Sequence, residues 1–269
     1  MARRRPTGQI RVGVGGWTYA PWRGVFYPAD LPHRRELEFA AGRISSIEIN
    51  GTFYGAQRPE IFRRWRDETP ADFVFSLKAP RYATHRRVLA SAGAAIERFL
   101  GGGVLQLQDK LGPINWQLPP GKSFDPPDFE AFLKLLPARV QSRPLRHAVE
   151  VRHASFRSSA CIDLARRHGV ALVLAGDSGY PWFSDVTASF VYVRLMGTLA
   201  GEPLGYPAQQ IDLWAQRARR WAAGEIPADL PPLLSAAAPA APRDVFVYFI
   251  NGYKVANPAA AQALLQRFA

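Results

Sequence analysis

The stretch Arg146-His-Ala-Val-Glu-Val-Arg-His153 has the alternating pattern of a β-strand. Successive side chains of a strand point to opposite faces, so Val149 and Val151 share one face. Glu150 and Arg152 share the other face and come at the end of the stretch. One face can therefore pack against a core while the other presents a charged pair. The stretch predicts a short strand that contributes both to the core and to a site.

Strand patterns recur along the chain, with helical patterns between them. The predicted strands are Ile10–Val14, Ile44–Asn50, Phe73–Lys78, Pro113–Leu118, His147–Val151, Val170–Ala175, Phe190–Leu195 and Val245–Phe249. The predicted helices are Arg34–Ala41, Ile61–Asp67, Ala92–Leu100, Pro126–Leu136, Ser159–His168, Gln209–Ala222 and Pro258–Phe268. Eight strand–helix alternations over this length predict an α/β protein with a TIM (β/α)8 barrel.

The barrel is predicted to be a single domain over residues 10–269, after a basic N-terminal tail over residues 1–9. The alternative is an open doubly wound sheet, which normally carries a phosphate-binding glycine fingerprint. The stretch Gly13-Val-Gly-Gly-Trp-Thr18 lacks the third glycine of that fingerprint. The Pro- and Ala-rich stretch Ile226–Pro242 is predicted to be a surface loop rather than a domain boundary.

The composition is typical of a protein that buries a core, since 48% of the 269 residues are hydrophobic and 21% are charged. No apolar run reaches the length of a membrane span or follows the basic N-terminus as in a secretory signal, so a cytoplasmic location is expected. The single cysteine, Cys161, excludes an internal disulfide and falls in a helical pattern typical of a buried residue. The net charge of +12 favours anionic partners, including nucleic acid, although a general preference for arginine would produce the same charge.

Polar residues recur at the carboxyl ends of five predicted strands, with the parity opposite to that of the apolar residues. The pairs are Glu48 with Asn50, Ser76 with Lys78, Asn115 with Gln117, Glu150 with Arg152, and Tyr192 with Arg194. Inside a barrel, polar groups are costly unless they are paired or solvated. The carboxyl ends of the strands form the face where TIM-barrel active sites lie. We therefore predict a pocket at this face, and the alternative is a hydrogen-bonded, ion-paired plug.

Four titratable residues are the predicted catalytic groups: Glu48, Lys78, His85 and Glu150. Either glutamate can equally be the structural partner of an arginine. The predicted substrate-binding residues are Trp17, Asn50, Tyr54, Gln117, Arg152, His153, Asp177, Arg194 and Asn251. Lys78, Arg152 and Arg194 are suited to an anionic group. His153 has outward parity unless the strand ends before it, and Asp177 begins an Asp-Ser-Gly turn signal.

Several motifs resemble the YecE-like family, also called domain of unknown function 72. They are Gly13-Val-Gly-Gly-Trp17, Phe26-Tyr-Pro28, Glu48-Ile-Asn-Gly-Thr-Phe-Tyr54, Lys78 with Thr84-His85, Gly112-Pro113 with Gln117-Leu-Pro119, Glu150-Val-Arg-His153 and Val193-Arg-Leu-Met-Gly197. The resemblance implies a TIM barrel with no settled activity. It also implies that the family's pattern includes Glu48, Asn50, Tyr54, Lys78, His85, Gln117, Glu150, Arg152, His153 and Arg194.

Three positions depart from the pattern that the resemblance implies. Gly15 stands where the family usually has a small hydroxyl residue. Met196 stands where it often has histidine, and Ile250 where it often has asparagine. Chemistry that depends on those polar groups is not expected in this chain.

Three functions are consistent with these residues. The first is a metal-independent enzyme of hydrolase, lyase or isomerase type, which uses Glu/Lys/His acid–base chemistry on a small anionic or sugar-like substrate. A glycosidase variant would place the carboxyl groups of Glu48 and Glu150 about 5–5.5 Å apart if it is retaining, or about 6.5–9.5 Å apart if it is inverting. The second is a protein that binds nucleic acid or cleaves phosphodiesters, with a basic stripe around the barrel mouth. The third is a non-catalytic barrel that binds a ligand or a protein.

No metal-binding motif stands out in the sequence. Neither an HExxH motif nor another ligand spacing typical of a metal site occurs. We therefore predict no cofactor, and a divalent metal is left open.

Overall fold

Eight parallel strands form a ring in the computed structural model, which describes residues 7–234 and 238–269. They are β1 (Ile10–Gly15), β2 (Ser46–Ile49), β3 (Val74–Lys78), β4 (Leu111–Gln117), β5 (His147–Glu150), β6 (Ala171–Leu172 and Leu174–Gly176), β7 (Phe190–Leu195) and β8 (Asp244–Phe249). Each strand pairs with its neighbour in the sequence, and β8 pairs with β1. The first half of β6 pairs with β5 and the second half with β7, which closes the ring. The predicted TIM barrel is confirmed.

The described α-helices follow the strands in the chain. They are α1 (Glu36–Ala41), α2 (Gly51–Tyr54), α3 (Pro59–Asp67), α4 (Arg81–Thr84), α5 (Gly93–Gly101), α6 (Pro126–Lys134), α7 (Ser159–Arg167), α8 (Ala208–Ala222) and α9 (Asn257–Gln266). A proline in the first turn begins α3, α6 and α9, where its missing N–H costs nothing. The side chains of Asp125 and Ser158 cap α6 and α7.

The connection between β6 and β7 differs from the predicted alternation. Residues 177–189 are all described and contain no helix, so the sixth unit is a strand followed by a loop. Gly179 and Pro181 break a helical path there. The loop is instead held by Asp185, whose carboxylate accepts hydrogen bonds from the backbone N–H groups of Leu233 and Leu234. The barrel thus has seven strand–helix alternations rather than eight.

Two segments predicted from the sequence, the N-terminal tail and the Pro- and Ala-rich loop, lie partly outside the described residues. These are residues 1–6 of the predicted tail and residues 235–237 of the predicted loop. The backbone N–H of Gly8 donates to Ala222, and that of Gln9 donates to Asp244, so this part of the tail is attached to the barrel. No described helix is both long enough and apolar enough to cross a membrane.

The barrel interior becomes more polar toward the carboxyl ends of the strands. Near the amino ends it is filled by Val74, Ala148, Phe190 and Phe246, together with neighbouring apolar residues. In the next layer the Tyr248 hydroxyl lies 2.7 Å from the hydroxyls of both Ser46 and Ser76. Above it come the charged side chains that were predicted to point inward. The strand side chains of opposite parity are apolar and pack against the helices. Cys161 on α7 is buried in the same core.

Candidate active site

A pocket of about 690 Å³ opens at the carboxyl ends of the strands, as the parity of the polar residues predicts. Nine of the predicted site residues line it: Trp17, Asn50, Tyr54, Lys78, His85, Gln117, Arg152, Arg194 and Asn251. The other four predicted site residues, Glu48, Glu150, His153 and Asp177, are not among its lining residues. The structure therefore brings together most of the predicted groups but separates the carboxylates from the open space.

Arg194 joins the two buried glutamates beneath the pocket. Its Nη2 donates to Oε1 of Glu48 over 3.0 Å, and its Nη1 donates to Oε2 of Glu150. Glu48 also accepts from the hydroxyl of Tyr192 over 2.7 Å. The exposed fractions of Arg194, Glu48 and Glu150 are 1%, 0% and 0%. Both carboxylates are thus committed to hydrogen bonds with neighbouring side chains.

The charges of this cluster stabilise one another. Burial alone would raise the pKa of Glu150, but the guanidinium groups of Arg194 and Arg152 outweigh it and lower that pKa. Burial alone would lower the pKa of Arg194, but Glu150 and Glu48 raise it. Burial, and then the adjacent Glu48 carboxylate, raise the pKa of Tyr192. The Glu150 carboxylate and the Arg194 guanidinium therefore both stay charged at neutral pH.

This placement does not favour the catalytic roles predicted for Glu48 and Glu150. A general base must reach the substrate proton directly or through one water. Both carboxylates are fully buried, and Arg194 binds both of them. The same placement leaves a glycosidase without its two carboxylates facing a sugar. The alternative interpretation of the sequence, in which a glutamate is the structural partner of an arginine, applies to both.

Arg152 connects the buried cluster to the pocket. Its Nε donates to Glu150 over 2.6 Å, and its Nη2 donates to the side-chain oxygen of Gln117 over 2.9 Å. Its guanidinium carbon lies 4.4 Å from the centre of the Tyr180 ring. The remaining terminal nitrogen, Nη1, has only a long contact of 3.5 Å with the Tyr180 hydroxyl. Arg152 is thus held rigidly and keeps donor capacity for a ligand in the pocket.

Lys78, at the end of β3, differs from the arginines because its amine has no carboxylate partner within the described chain. Its Nζ lies 3.9 Å from the centre of the Phe53 ring, and the residue is 8% exposed. Burial lowers the pKa of Lys78 to about 8, and the nearby charge of Arg194 contributes in the same direction. Glu48 and Glu150 act in the opposite direction but do not restore the ordinary value of 10.5. The Lys78 amine therefore loses its proton more readily than that of an ordinary lysine.

His85 lies on the same wall of the pocket, after α4. Its Nδ1 is 3.2 Å from the Thr84 hydroxyl, and its ring centre is 5.5 Å from that of Phe53. Burial and the charge of Lys78 lower the pKa of His85, so the neutral imidazole is favoured at pH 7. Lys78 and His85 thus both line the pocket, and the pKa of each lies below its ordinary value.

Two predicted site residues have local structural partners outside the pocket. His153 follows β5, and its Nδ1 accepts a hydrogen bond from the backbone N–H of Ser155, which caps a short turn. Asp177 follows β6 with a φ of 56°, and its carboxylate accepts from the Tyr206 hydroxyl over 2.9 Å. For His153 this agrees with its outward parity. The substrate-binding roles predicted for both residues have no support in this placement.

Sequence reasoning did not identify several residues that line the pocket, including Gln57, Tyr180 and Lys254. All three lie in connections after strands, where no periodic pattern marks a side chain that faces the pocket. Gly15, Met196 and Ile250, the three departures from the family pattern, also line it. A Cβ atom on Gly15 would lie 2.7 Å from Nδ2 of Asn50 and 3.1 Å from Cδ1 of Ile250. Asn50 and Ile250 therefore occupy the space that a larger residue at position 15 would need.

The described residues contain no cluster of three or more His, Cys, Asp or Glu side chains arranged to hold a metal ion. The carboxylates nearest to the pocket are bound by arginines. The polar groups that line the pocket are mostly nitrogen donors, which are suited to an anion rather than to a cation.

Comparisons with known proteins place this chain in a family. A family model described as "Protein of unknown function DUF72" matches residues 11–269. The chain belongs to the DUF72 family. The UPF0759 protein YecE of Escherichia coli is 29% identical over 150 residues, which is 55% of this chain and about half of YecE. Membership confirms the resemblance seen in the sequence, and the family description states no activity.

Solved structures of other DUF72 proteins have a similar fold. The protein from Thermotoga maritima has a TM-score of 0.67 at 21% identity, with 96% of this chain and 97% of that chain covered. A protein from Enterococcus faecalis has a TM-score of 0.68 at 15% identity, with 98% of this chain and 100% of that chain covered. At these identities the similarity is evidence of the fold alone. Any function of this DUF72 protein must therefore be argued from its own side chains.

Proposed function

We propose that this DUF72 protein is an enzyme that binds a small anionic substrate in the barrel mouth and transfers a proton with Lys78. One observation carries the proposal. Among the described residues that line the pocket there is no acidic side chain, whereas Lys78, Arg152, Arg194 and Lys254 all contribute to the lining. A pocket with cations and no acids attracts anions and repels cations.

The charges near the pocket support the same substrate class. Arg152 and Arg194 are neutralised by Glu48 and Glu150, to which they are hydrogen-bonded. That leaves the amines of Lys78 and Lys254, which have no ion pair within the described chain. A carboxylate or phosphate group would supply the missing negative charge. The aromatic rings of Trp17, Phe53 and Tyr180 add apolar walls for the body of the substrate.

The choice of Lys78 as the base follows from its accessibility and its protonation state. A catalytic base is most effective when its pKa is near the working pH. Lys78 has a pKa of about 8 and faces the pocket, whereas both glutamates are buried beneath it. The role of Glu48 and Glu150 is then to hold Arg194 and Arg152 in place. We propose proton transfer at a carbon next to a carbonyl group, with His85 available as a second proton carrier.

Exchange of substrate hydrogen for solvent deuterium tests this function. The wild-type protein is expected to accelerate exchange at the carbon next to the carbonyl of pyruvate or dihydroxyacetone phosphate, which carry a carboxylate and a phosphate. Replacing Lys78 by Met should reduce the rate by at least about 100-fold. The rate should rise with pH and level off above about 8, because the amine acts as a base only when it is neutral. Proton NMR in deuterated water measures it directly.

The matched control is Lys134→Met, since Lys134 lies on α6, pairs with Glu130 and is not among the residues that line the pocket. This variant should exchange as fast as the wild type. Phosphate binding measured by calorimetry accompanies each assay. Equal rates in the Lys78→Met and wild-type proteins, or binding without any accelerated exchange, would contradict the proposal.

Binding of a polyanion is a second candidate function, and four arginines support it. Arg58, Arg81, Arg87 and Arg157 are exposed in connections that follow β2, β3 and β5, and none has an ion pair within the described chain. Repeating the binding measurement with a single-stranded oligonucleotide tests this candidate. Affinity that falls steeply as salt is raised would support it. Absence of binding even at low salt would exclude it.

A further inference from the structure

Lysine is rare in this chain, and its use is selective. The chain has 34 basic residues, of which 29 are arginine and five are lysine. Lys122 pairs with Asp128 over 2.6 Å, and Lys134 pairs with Glu130 over 3.3 Å. Lys110 donates to the backbone oxygen of Thr69 over 2.7 Å. The two remaining lysines, Lys78 and Lys254, both line the pocket.

An amine at position 78 is not needed for charge alone. Arginine is the usual cation of this chain and binds carboxylates and phosphates more specifically than lysine. What lysine offers in addition is a nitrogen that can lose its proton and attack a carbonyl carbon. Lys78 has the surroundings for this chemistry, because its Nζ lies against the Phe53 ring and no described acceptor binds it.

Hydrogen bonds fix the backbone from which the Lys78 side chain extends. The carbonyl oxygen of Lys78 accepts a hydrogen bond from the Thr52 hydroxyl over 2.7 Å. The next N–H, of Ala79, donates to the carbonyl oxygen of Asn115 on β4 over 2.9 Å. A side chain that leaves the end of a buried strand in this way is well suited to precise contact with a substrate.

We infer that Lys78 is a covalent catalyst whose amine forms an imine with the carbonyl carbon of a small 2-oxo carboxylate. The inference rests on the proposed function, because it uses the same anion-binding pocket. Arg152 receives the carboxylate of the substrate through its Nη1, the terminal nitrogen that has only a long contact with the Tyr180 hydroxyl. The body of the substrate then lies between that guanidinium and the amine.

The step balances with one proton from the solvent as its only further reactant. The lone pair of the neutral amine attacks the carbonyl carbon, and the electron pair of the C=O bond moves to the oxygen, which takes up a proton. The nitrogen loses a proton, and the hydroxyl group of the carbinolamine takes up a second proton from the solvent. It then leaves as water with the C–O bonding pair. The product is a protonated imine, which withdraws electrons from the adjacent carbon. The Lys78 nitrogen is then committed to the imine, so the proton of that carbon passes to His85, the second proton carrier of the proposed function.

Reductive trapping tests the inference. The wild-type protein is incubated with pyruvate and sodium cyanoborohydride, which reduces an imine to a stable secondary amine. Intact-protein mass spectrometry should show one reduced pyruvate adduct, and peptide mapping should place it on Lys78. The Lys78→Arg variant keeps the positive charge but cannot form the imine, so the adduct should be lost. The Lys134→Arg variant is the matched control and should be trapped as the wild type is.

Calorimetry on the same samples separates failure of this inference from failure of the proposed function. Pyruvate that binds but gives no adduct, or an adduct spread over other amines, would overturn the imine while leaving the anion pocket intact. Phosphate binding without pyruvate binding would overturn the 2-oxo carboxylate as the substrate class. Absence of binding by either anion would overturn the proposed function itself.

Discussion

Replacement of Arg194 by Met is expected to lower the free energy of unfolding at pH 7 by about 3–5 kcal/mol. Arg194 is the shared partner of two fully buried carboxylates, Glu48 and Glu150. Without it, Glu48 keeps only neutral partners, the Tyr192 hydroxyl and the Asn115 amide. An unpaired buried charge lowers the free energy of unfolding by far more than an intact buried ion pair raises it.

The loss in the Arg194→Met variant should depend on pH. In the wild type the pKa of Glu150 is lowered, so its contribution to stability is present above the ordinary value of 4.5 and disappears as the pH falls through the lowered pKa. In the variant, the burial of Glu150 is opposed by Arg152 alone, and this carboxylate can relieve the cost by taking up a proton. The difference between the two proteins, measured by urea unfolding, should therefore be smaller at pH 5 than at pH 7.

The control for this prediction is Arg152→Met, which leaves Glu150 paired with Arg194 and removes a partly exposed side chain. Its loss of stability should be clearly smaller. A loss in Arg194→Met of less than about 1 kcal/mol, the range of an exposed ion pair, would contradict the structural role given to this cluster.

Replacement of Lys78 by Met is expected to have the opposite effect and to raise the free energy of unfolding at pH 7 by roughly 3 kcal/mol. The pKa of Lys78 falls from 10.5 to about 8 when the chain folds. A cation with a lowered pKa destabilises the folded state at every pH below that value, because folding disfavours the proton it carries. Methionine fills a similar volume beside Phe53 without a charge. The lysine to which we assign the proton transfer is thus expected to lower stability.

The same pKa determines the pH range in which the difference in stability between the Lys78→Met and wild-type proteins should disappear. As the pH rises from about 8 to 10.5, the unfolded wild-type chain still carries the proton that the folded chain has lost, so the wild type gains stability relative to the variant. Chemical unfolding of both proteins across this range measures the difference. Lys134→Met, a change on the surface, should stay within about 0.5 kcal/mol of the wild type. A Lys78→Met protein that is less stable at pH 7 would show that this amine is a structural group.

The sequence alone predicts the barrel and the inward-facing groups because both follow from local periodicity. A strand has a repeat of two residues, so the parity of Glu48, Lys78, Gln117, Glu150 and Arg194 could be assigned without a structure. The sequence predicts eight strand–helix alternations, whereas the structure has a loop and no helix between β6 and β7. The connection spans residues 177–189, and its helix-breaking residues, Gly179 and Pro181, leave enough residues after them for a short helix.

The roles of the inward groups could not be predicted because they depend on contacts across the barrel. Arg194 and Glu48 are 146 positions apart in the chain, and only the closed ring brings them together. Parity places both on the inside, but it does not say which of them reaches the open space. The position along the strand decides which side chain reaches the pocket. Glu48 lies two residues before Asn50, and only Asn50 lines the pocket. Loop residues such as Tyr180 and Lys254 have no periodic signal at all.

The measurement that tests the central claim most directly is the titration of the Lys78 amine by NMR. A chain with five lysines, produced with lysine carbon-13-labelled at Cε, gives a spectrum in which the Lys78 signal can be assigned from its loss in Lys78→Arg. We predict a midpoint of about 8 for Lys78, shifted upward when phosphate occupies the pocket. A midpoint at or above 10.5, unchanged by phosphate, would contradict the account of Lys78 as an uncompensated amine in an anion-binding pocket.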